Sequence, residues 1–381
     1  MSIRSSTKRV RSDAADGAWM ARALMLAHRG IALAHPNPMV GAVLVRNDRI
    51  VGDGYHTYEG RKHAEIVALE AAGGEARGAT LYVNLEPCCH TNRTEPCTKA
   101  IIDAGVKRVV VAMKDPNPKV AGRGIRELRQ AGLDVSVGVH EAEARRLNES
   151  FARWIVSGLP FVTMKSALTL DGQIASPGGT VTWITSLESR EEVQRLRHAS
   201  DALLTGIGTV VADDPRMTDR TGLPRRKRLV RIIVDAKLRL PVKSQIARSA
   251  KEKDVLVFTA ASAPAAMLRA LENSGLEVVR IGAHAGHVDL RAVVRELGRR
   301  EILSVILEAG GALNGAMLEA GLVDKAILFY APKILGAVTV PVAKHRPKSI
   351  SKIRGLQDLT LRRFGPDFAV EGYFRDVYRN H

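Results

Sequence analysis

The residues of this chain best suited to chemistry are His63, Glu65, Cys88 and Cys97. The sequence has three cysteines, and all of them fall between residues 88 and 97. So few thiols make no disulfide framework, and such clustering points to a metal. One imidazole and two thiolates are borderline-to-soft ligands suited to Zn2+, and three protein ligands leave the fourth tetrahedral position to water. Water held there becomes acidic enough to act as a nucleophile near neutral pH. Glu65, two residues after the histidine, is expected beside that water as a proton shuttle rather than as a ligand. That combination is the chemistry of hydrolytic base deamination. Two other readings fit the same residues: a closed structural zinc site with His90 or Cys89 as fourth ligand, and buried inert thiols. Cys89 is expected to be a bystander, since a side chain adjacent to a ligand in sequence rarely points at the same ion.

The elements that must position these residues alternate between helix and strand. The 3.6-residue spacing of Met20, Leu24, Ala27 and Ile31 predicts a helix over 19–34, ended by His35-Pro36-Asn37-Pro38. Strands are expected at 40–45, 50–54, 79–85, 108–112 and 134–139, with helices at 63–71, 98–104 and 124–131. This is a layered α/β domain ending near residue 147. A linker follows over 148–160. The second half alternates again, with strands at 161–167, 231–235, 255–259, 277–281, 304–307 and 325–330. Its helices are expected at 187–199, 264–274, 289–299 and 313–320. No G-x-G-x-x-G opens a βαβ unit there, so a Rossmann site is not supported. Gly310-Gly311, between a strand and a helix, can instead offer backbone N–H groups to a pyrophosphate. Gly206 and Gly208 read as turn glycines that also admit close approach of a ligand before Thr209.

With 381 residues, 45% of them hydrophobic and 25% charged, the chain is long enough for two globular domains and is not disordered. The net charge is +17. Residues 12–150 carry 18 basic and 17 acidic side chains, whereas 216–253 alone carry 13 against 3. The run Arg225-Arg226-Lys227-Arg228 reads as a solvated loop or an anion-binding face. Aromatic residues make up only 4%, which disfavours a stacking platform for single-stranded nucleic acid. No apolar run is long enough to span a membrane, and the polar N-terminus lacks the core of a secretory signal. Reduced thiols and no export signal indicate the cytoplasm.

The motifs HPNPMVGAVLV (35–45), GYH (54–56), HAE (63–65), EPCCHTNRTEPC (86–97) and KDPNPKVAGRG (114–124) resemble the bifunctional riboflavin-biosynthesis deaminase/reductases. The eight residues between the two ligand cysteines are a mark of that family. TLDGQIA (169–175), WITS (183–186), TGIGTVVADDP (205–215), LEAGGALNGAML (307–318) and YAPKILG (330–336) match its reductase half. The resemblance runs from about Ala18 to about Gly372.

It implies a cytidine-deaminase-like α/β domain with zinc over 18–147, after a basic tail at 1–17, and a dihydrofolate-reductase-like α/β domain using NADPH over 161–381. The first domain would remove the 2-amino group of 2,5-diamino-6-ribosylamino-4(3H)-pyrimidinone 5′-phosphate, and the second would reduce the ribosyl group to ribityl. Matched positions give zinc to His63, Cys88 and Cys97, catalysis to Glu65, and the deaminase substrate to Asn37, His56, His90 and Arg93. NADPH falls to Ala167, Trp183, Thr209, Asp213, Gly310, Gly311, Ala312, Leu313, Asn314, Gly315 and Ala316. The reductase substrate falls to Val181, Arg197, Met217, Arg220 and Glu308. The family's usual serine two residues before the tryptophan is Val181 here, which cannot donate a hydrogen bond. Asn92, Glu95 and Cys89 depart from the usual glycine, proline and serine and leave the ligands intact. The partners implied are phosphorylated pyrimidines, in a homo-oligomer with no nucleic acid or membrane. Two alternatives remain open: a reductase half that is structural or altered in substrate, and a nucleic-acid-editing deaminase or RNA binder, which would need positive charge around the zinc domain.

Overall fold

The computed structural model describes residues 3–90, 95–175, 183–284, 286–336, 340–344 and 355–379. The chain forms two compact units, Met1–Ser157 with Pro224–Arg226, and Gly158–Leu223 with Lys227–His381.

The first unit contains, in order, α1 (Ile3–His28), β1 (Gly41–Arg46), β2 (Arg49–Tyr55), α2 (Ala64–Ala72), β3 (Thr80–Leu85), α3 (Cys97–Asp103), β4 (Arg108–Met113), α4 (Arg123–Gln130), β5 (Asp134–Val137), α5 (Glu141–Leu147) and α6 (Glu149–Ser157). Its sheet has the order β2-β1-β3-β4-β5. β1 runs antiparallel to β2 and β3, while β3, β4 and β5 are parallel. The inner strands β1, β3 and β4 are buried almost throughout. That explains their near-continuous apolar runs, since a strand covered on both faces has no polar side to alternate with. Met20, Leu24 and Ala27 of α1 are buried as their spacing requires. The helix ends at His28 rather than at residue 34, because Ala32 takes a left-handed φ of 58° and the chain turns back on Gly30. Part of the expected linker, 149–157, is the helix α6.

The second unit contains β6 (Phe161–Thr169), β7 (Gln173–Ala175), α7 (Leu187–Ala199), β8 (Ala202–Gly206), α8 (Ile207–Asp213), β9 (Val230–Val234), α9 (Gln245–Arg248), β10 (Val255–Ala260), α10 (Ala265–Asn273), β11 (Glu277–Ile281), β12 (Ala283–His284), β13 (His287–Val288), α11 (Leu290–Arg299), β14 (Ser304–Leu307), α12 (Gly311–Glu319), β15 (Lys325–Ala331), β16 (Val340–Pro341), β17 (Gln357–Phe364) and β18 (Asp367–Tyr373). Its main sheet has the order β11-β10-β9-β8-β14-β6-β15-β18-β17. The strands from β11 to β15 are parallel, and β18 and β17 add an antiparallel edge. Ser186 caps α7 by accepting the Ser189 N–H, and Arg197 and His198 fill its last turn, where cations suit the helix dipole. The chain leaves β6 for β8, walks outward to β11, then returns to insert β14 between β8 and β6. Such a reversal opens a crevice at the carboxyl ends of the strands, where ligands of open α/β sheets bind. Gly206 and Gly208 are not turn glycines: Gly206 is the N-cap of α8, with φ −100°, and Gly208 lies inside that helix.

Candidate active sites

Three local structures converge in the first unit. His63 is the N-cap of α2, Cys88 lies in the loop leaving β3, and Cys97 opens α3. Their ligand atoms all lie within 4.8 Å of one another, the one such group among the described residues. His63 Nδ1 stands 3.2 Å from Cys97 Sγ and 3.5 Å from Cys88 Sγ. The Cys97 N–H donates to Cys88 Sγ at 3.4 Å, and the Thr98 N–H donates to the Cys88 carbonyl. The hydrogen bond from the Cys97 thiol, with His63 beside it, outweighs burial and lowers Cys88, so of the two thiols Cys88 gives up its proton more readily. Its neighbour Cys97 is pushed up by that same hydrogen bond and by burial. The hydrogen bond to Cys88 raises His63 to about 9. One nitrogen and two sulfurs on this spacing fit Zn2+, and neither Cys89 nor His90 joins the group, as an open rather than a closed site requires.

Glu65 sits in the first turn of α2, 4% exposed. Burial raises its carboxyl to about 7, against the pull of His63. A carboxyl with that value near the working pH exchanges protons efficiently in both directions.

Asn37 and His56 lie against this cluster. The His56 ring meets the His63 ring edge-on, with centroids 5.6 Å apart. His56 Nδ1 is 2.8 Å from the Lys62 carbonyl, which can only accept, so the proton belongs on Nδ1. Nε2 is then the acceptor for the Asn37 amide at 3.0 Å. Burial keeps His56 below its ordinary value and therefore neutral. His90 is half-buried at the end of the Glu86–His90 loop, and Arg93 lies outside the described residues.

The structure adds residues that the sequence reading did not single out. Glu86 is buried and accepts N–H groups from Asp115, Gly122 and Ile125, which ties the 114–124 segment to the cysteine loop. A Cβ at Gly124 would stand 2.1 Å from the Pro87 carbonyl oxygen, so α4 can press against that loop only through a glycine. Asp115 is buried, and burial raises its carboxyl to about 7. Both acids stand in motifs already quoted, EPCC and KDPNP, but their roles exist only once the two loops are brought together.

In the second unit, the Arg197 guanidinium grips Glu308 with two bonds, Nε to Oε1 at 2.7 Å and Nη2 to Oε2 at 2.9 Å. Arg197 Nη1 also donates to the Thr218 carbonyl, next to Met217. Lys165, also absent from the sequence expectation, reaches Glu308 Oε2 at 3.5 Å. Burial works against the Glu308 charge, but Arg197 and then Lys165 outweigh it and hold the carboxyl at about 2. Burial lowers Lys165, which favours giving up its proton. A single lysine inside the apolar strand FVTMKSALT was the available signal for it.

The cofactor expectations meet at the adjoining carboxyl ends. The Gly310 N–H donates to Thr209 Oγ1 at 3.2 Å, which brings α8 to the start of α12. A Cβ at Gly310 would meet only Thr209, whereas at Gly311 and Gly315 it would strike Pro341 and Lys344 backbone at 2.4 and 2.6 Å. The first glycine therefore keeps the helix start open, and the next two admit the 340–344 segment. Asn314 donates to the Ala309 and Val342 carbonyls, and its Oδ1 is buried without a partner. An open helix N-terminus at a sheet crevice fits the phosphates of a cofactor, and the orphaned Asn314 oxygen, an acceptor, fits a hydroxyl or amide N–H of the same molecule. Ala312, Leu313 and Ala316 follow on α12. Ala167 lies near the end of β6, half-buried, and Asp213 ends α8, its carboxyl raised by burial. Trp183 is 61% exposed, with the Arg190 guanidinium 4.7 Å above its ring and Lys333 on its carbonyl. Val181 lies outside the described residues.

Residues 14–113 match the model of the cytidine and deoxycytidylate deaminase zinc-binding region, and residues 160–370 match that of the RibD C-terminal domain. The riboflavin biosynthesis protein RibD of Escherichia coli is 45% identical over 93% of this chain and 98% of its own length. That of Aquifex aeolicus is 42% identical over 84% of this chain and 88% of its own. Among solved structures, Acinetobacter baumannii RibD superposes with a TM-score of 0.83 at 35% identity, over 95% of this chain and 99% of that one. A diaminohydroxyphosphoribosylaminopyrimidine deaminase/5-amino-6-(5-phosphoribosylamino)uracil reductase from Thermotoga maritima gives 0.82 at 33%, with the same coverage.

Proposed function

This chain belongs to the RibD family of riboflavin biosynthesis proteins, and from that premise we propose that it acts twice in succession on one phosphorylated pyrimidine. It is a bifunctional enzyme, a zinc-type deaminase joined to an NADPH-type reductase. The substrate of the first step is 2,5-diamino-6-ribosylamino-4(3H)-pyrimidinone 5′-phosphate, as the name of the Thermotoga relative suggests. The deaminase domain is assigned to 18–147, the connection to 148–160 and the reductase domain to 161–381.

His63, Cys88 and Cys97 would hold zinc, which when bound supplies the Lewis acidity that makes water a nucleophile near neutral pH. Glu65 takes the proton of the attacking water and delivers it to the amino group that leaves as ammonia. Its raised value of about 7 supports both halves of that transfer. Asn37, His56, His90 and Arg93 are the residues we assign to the pyrimidine. Neutral His56, its tautomer set by the Lys62 carbonyl, has an acceptor nitrogen that orients the Asn37 amide.

In the second step NADPH supplies the two electrons that convert the ribosyl group to ribityl. Ala167, Trp183, Thr209, Asp213 and the segment 310–316 would hold it, the backbone N–H groups at the start of α12 suiting its phosphates. Met217 and Arg220 contact the pyrimidine substrate, whose phosphate the Arg220 cation suits, while Arg197 is engaged with Glu308. Glu308, fixed by Arg197, faces the ribosyl group, and Lys165 stands beside it as a group ready to give up a proton.

The +10 balance of 216–253 supports an anionic small molecule here, and the near-neutral 12–150 supports no nucleic acid at the zinc cluster. Among the described residues no helix is long and apolar enough to cross a membrane. We assign the enzyme to the cytoplasm, as a homo-oligomer.

The observation that carries this reading is the convergence of three metal-type ligands around the buried carboxyl of Glu65. Its test is Glu65→Gln: zinc content stays at one per chain-equivalent of the parent protein while ammonia release falls by about 10²- to 10⁴-fold. Loss of the metal together with the activity would remove Glu65 from that role.

A further inference from the structure

We propose that His198 and Asp219 are positioning residues of the reductase site, clipping the segment 217–221 to the end of α7 and so fixing where Met217 and Arg220 meet the pyrimidine substrate. The inference rests on the assignment of Met217 and Arg220 to that substrate, and adds two residues that the assignment does not include.

Gln194, Arg197 and His198 stand at i, i+3 and i+4 of α7, one face of the helix. Each holds one of three successive residues of the segment. Arg197 donates to the Thr218 carbonyl at 3.1 Å, His198 Nδ1 meets Asp219 Oδ2 at 2.9 Å, and Gln194 Oε1 accepts the Arg220 N–H at 3.0 Å. The His198–Asp219 bond is shielded, with side chains 7% and 8% exposed. The other oxygen of Asp219 accepts both the N–H and the hydroxyl of Thr221, at 2.9 and 2.8 Å. Asp219 thus shapes the turn after Arg220 while tying it to the helix. On the other side, buried Met217 adopts a left-handed φ of 53°. A non-glycine residue stays there only where its surroundings over-determine it. The clip supplies that constraint, and Arg197 links it to Glu308. Because the cofactor contacts at Thr209 and Gly310 lie on different elements, loosening the clip acts on one substrate and not on the other.

The test is the reductase step of the full chain, with the deaminated pyrimidine 5′-phosphate and NADPH each varied, in His198→Ala, Asp219→Asn and Arg220→Ala. The KM for the pyrimidine rises by about tenfold in the first two, equivalent to about 1.4 kcal/mol, while that for NADPH stays within about twofold. His198→Asn, whose amide nitrogen can stand in for Nδ1, restores most of the loss. Should His198→Ala fail to fold, His198→Asn and Asp219→Asn decide: a pyrimidine KM that Asp219→Asn leaves unchanged overturns the proposal. A parallel rise in the KM for NADPH overturns it too, by showing a general loss of structure. If Arg220→Ala raises the pyrimidine KM and the clip variants do not, the proposal alone fails. If Arg220→Ala has no effect, the substrate assignment fails and the clip falls with it.

Discussion

Replacing Glu308 by Gln removes the anion that the shielded cations Arg197 and Lys165 share. Arg197, Lys165 and Glu308 are only 13%, 13% and 11% exposed, so solvent screens their interaction little. The magnitude follows in two ways. The Glu308 carboxyl falls from its ordinary 4.5 to about 2, and at about 1.4 kcal/mol per unit this is about 3 kcal/mol of stability at neutral pH. Breaking a buried ion pair by deleting one partner costs about 3–5 kcal/mol, because the remaining charges are left uncompensated. For a unit of this size each kcal/mol shifts the midpoint by about 2–4 °C, so Glu308→Gln lowers it by roughly 6–20 °C. The pH dependence has a definite sign. The folded carboxylate resists protonation down to about 2, so its contribution is complete above pH 4.5 and is lost as pH falls toward 2. The gap between parent and variant is therefore full at pH 7 and narrower at pH 4. Calorimetry of the full chain at both pH values is the assay. A variant that melts within about 1 °C of the parent at pH 7 would refute the claim that this triad holds the reductase site together.

Two more perturbations separate the parts of the account. Gly124→Ala forces a methyl group against the Pro87 carbonyl, at a cost of about 1–3 kcal/mol, and displaces the loop of Cys88, so the variant melts lower and loses zinc faster to a chelator. Unchanged melting and unchanged metal retention would show that α4 does not brace that loop. Stripping zinc from the parent stops ammonia release but leaves NADPH oxidation intact when the deaminated pyrimidine is supplied, since the two sites lie in separate compact units. Equal loss of both activities would contradict that independence.

Legibility in the sequence followed how locally each feature is specified. The helix 187–199 is readable because Ser186 caps it and its last turn is basic, and strand 304–307 is a short, almost wholly apolar run. β8 and α8 were hidden by the glycines of TGIGT, which resemble a turn until β9 and β14 flank the strand on both sides. β17 is exposed along almost its whole length, so no alternation marks it, and only pairing with β18 makes it a strand. The metal cluster was legible because residue type and spacing restrict it. Asp115, Glu86 and Lys165 were not, since an acid in a loop or a lysine in a strand acquires its role from neighbours distant in the chain. Arg197 and Glu308, separated by 111 positions, were named from the family resemblance, and the structure adds that they bind each other.

The central claim is that one chain removes an amino group and then reduces the product. The most direct measurement follows ammonia and NADPH together in one sample of zinc-replete protein given the diaminopyrimidine 5′-phosphate. The account predicts ammonia first, then NADPH oxidation in equal amount after a lag. NADPH oxidation without ammonia, or no ammonia from protein that holds its zinc, would contradict it.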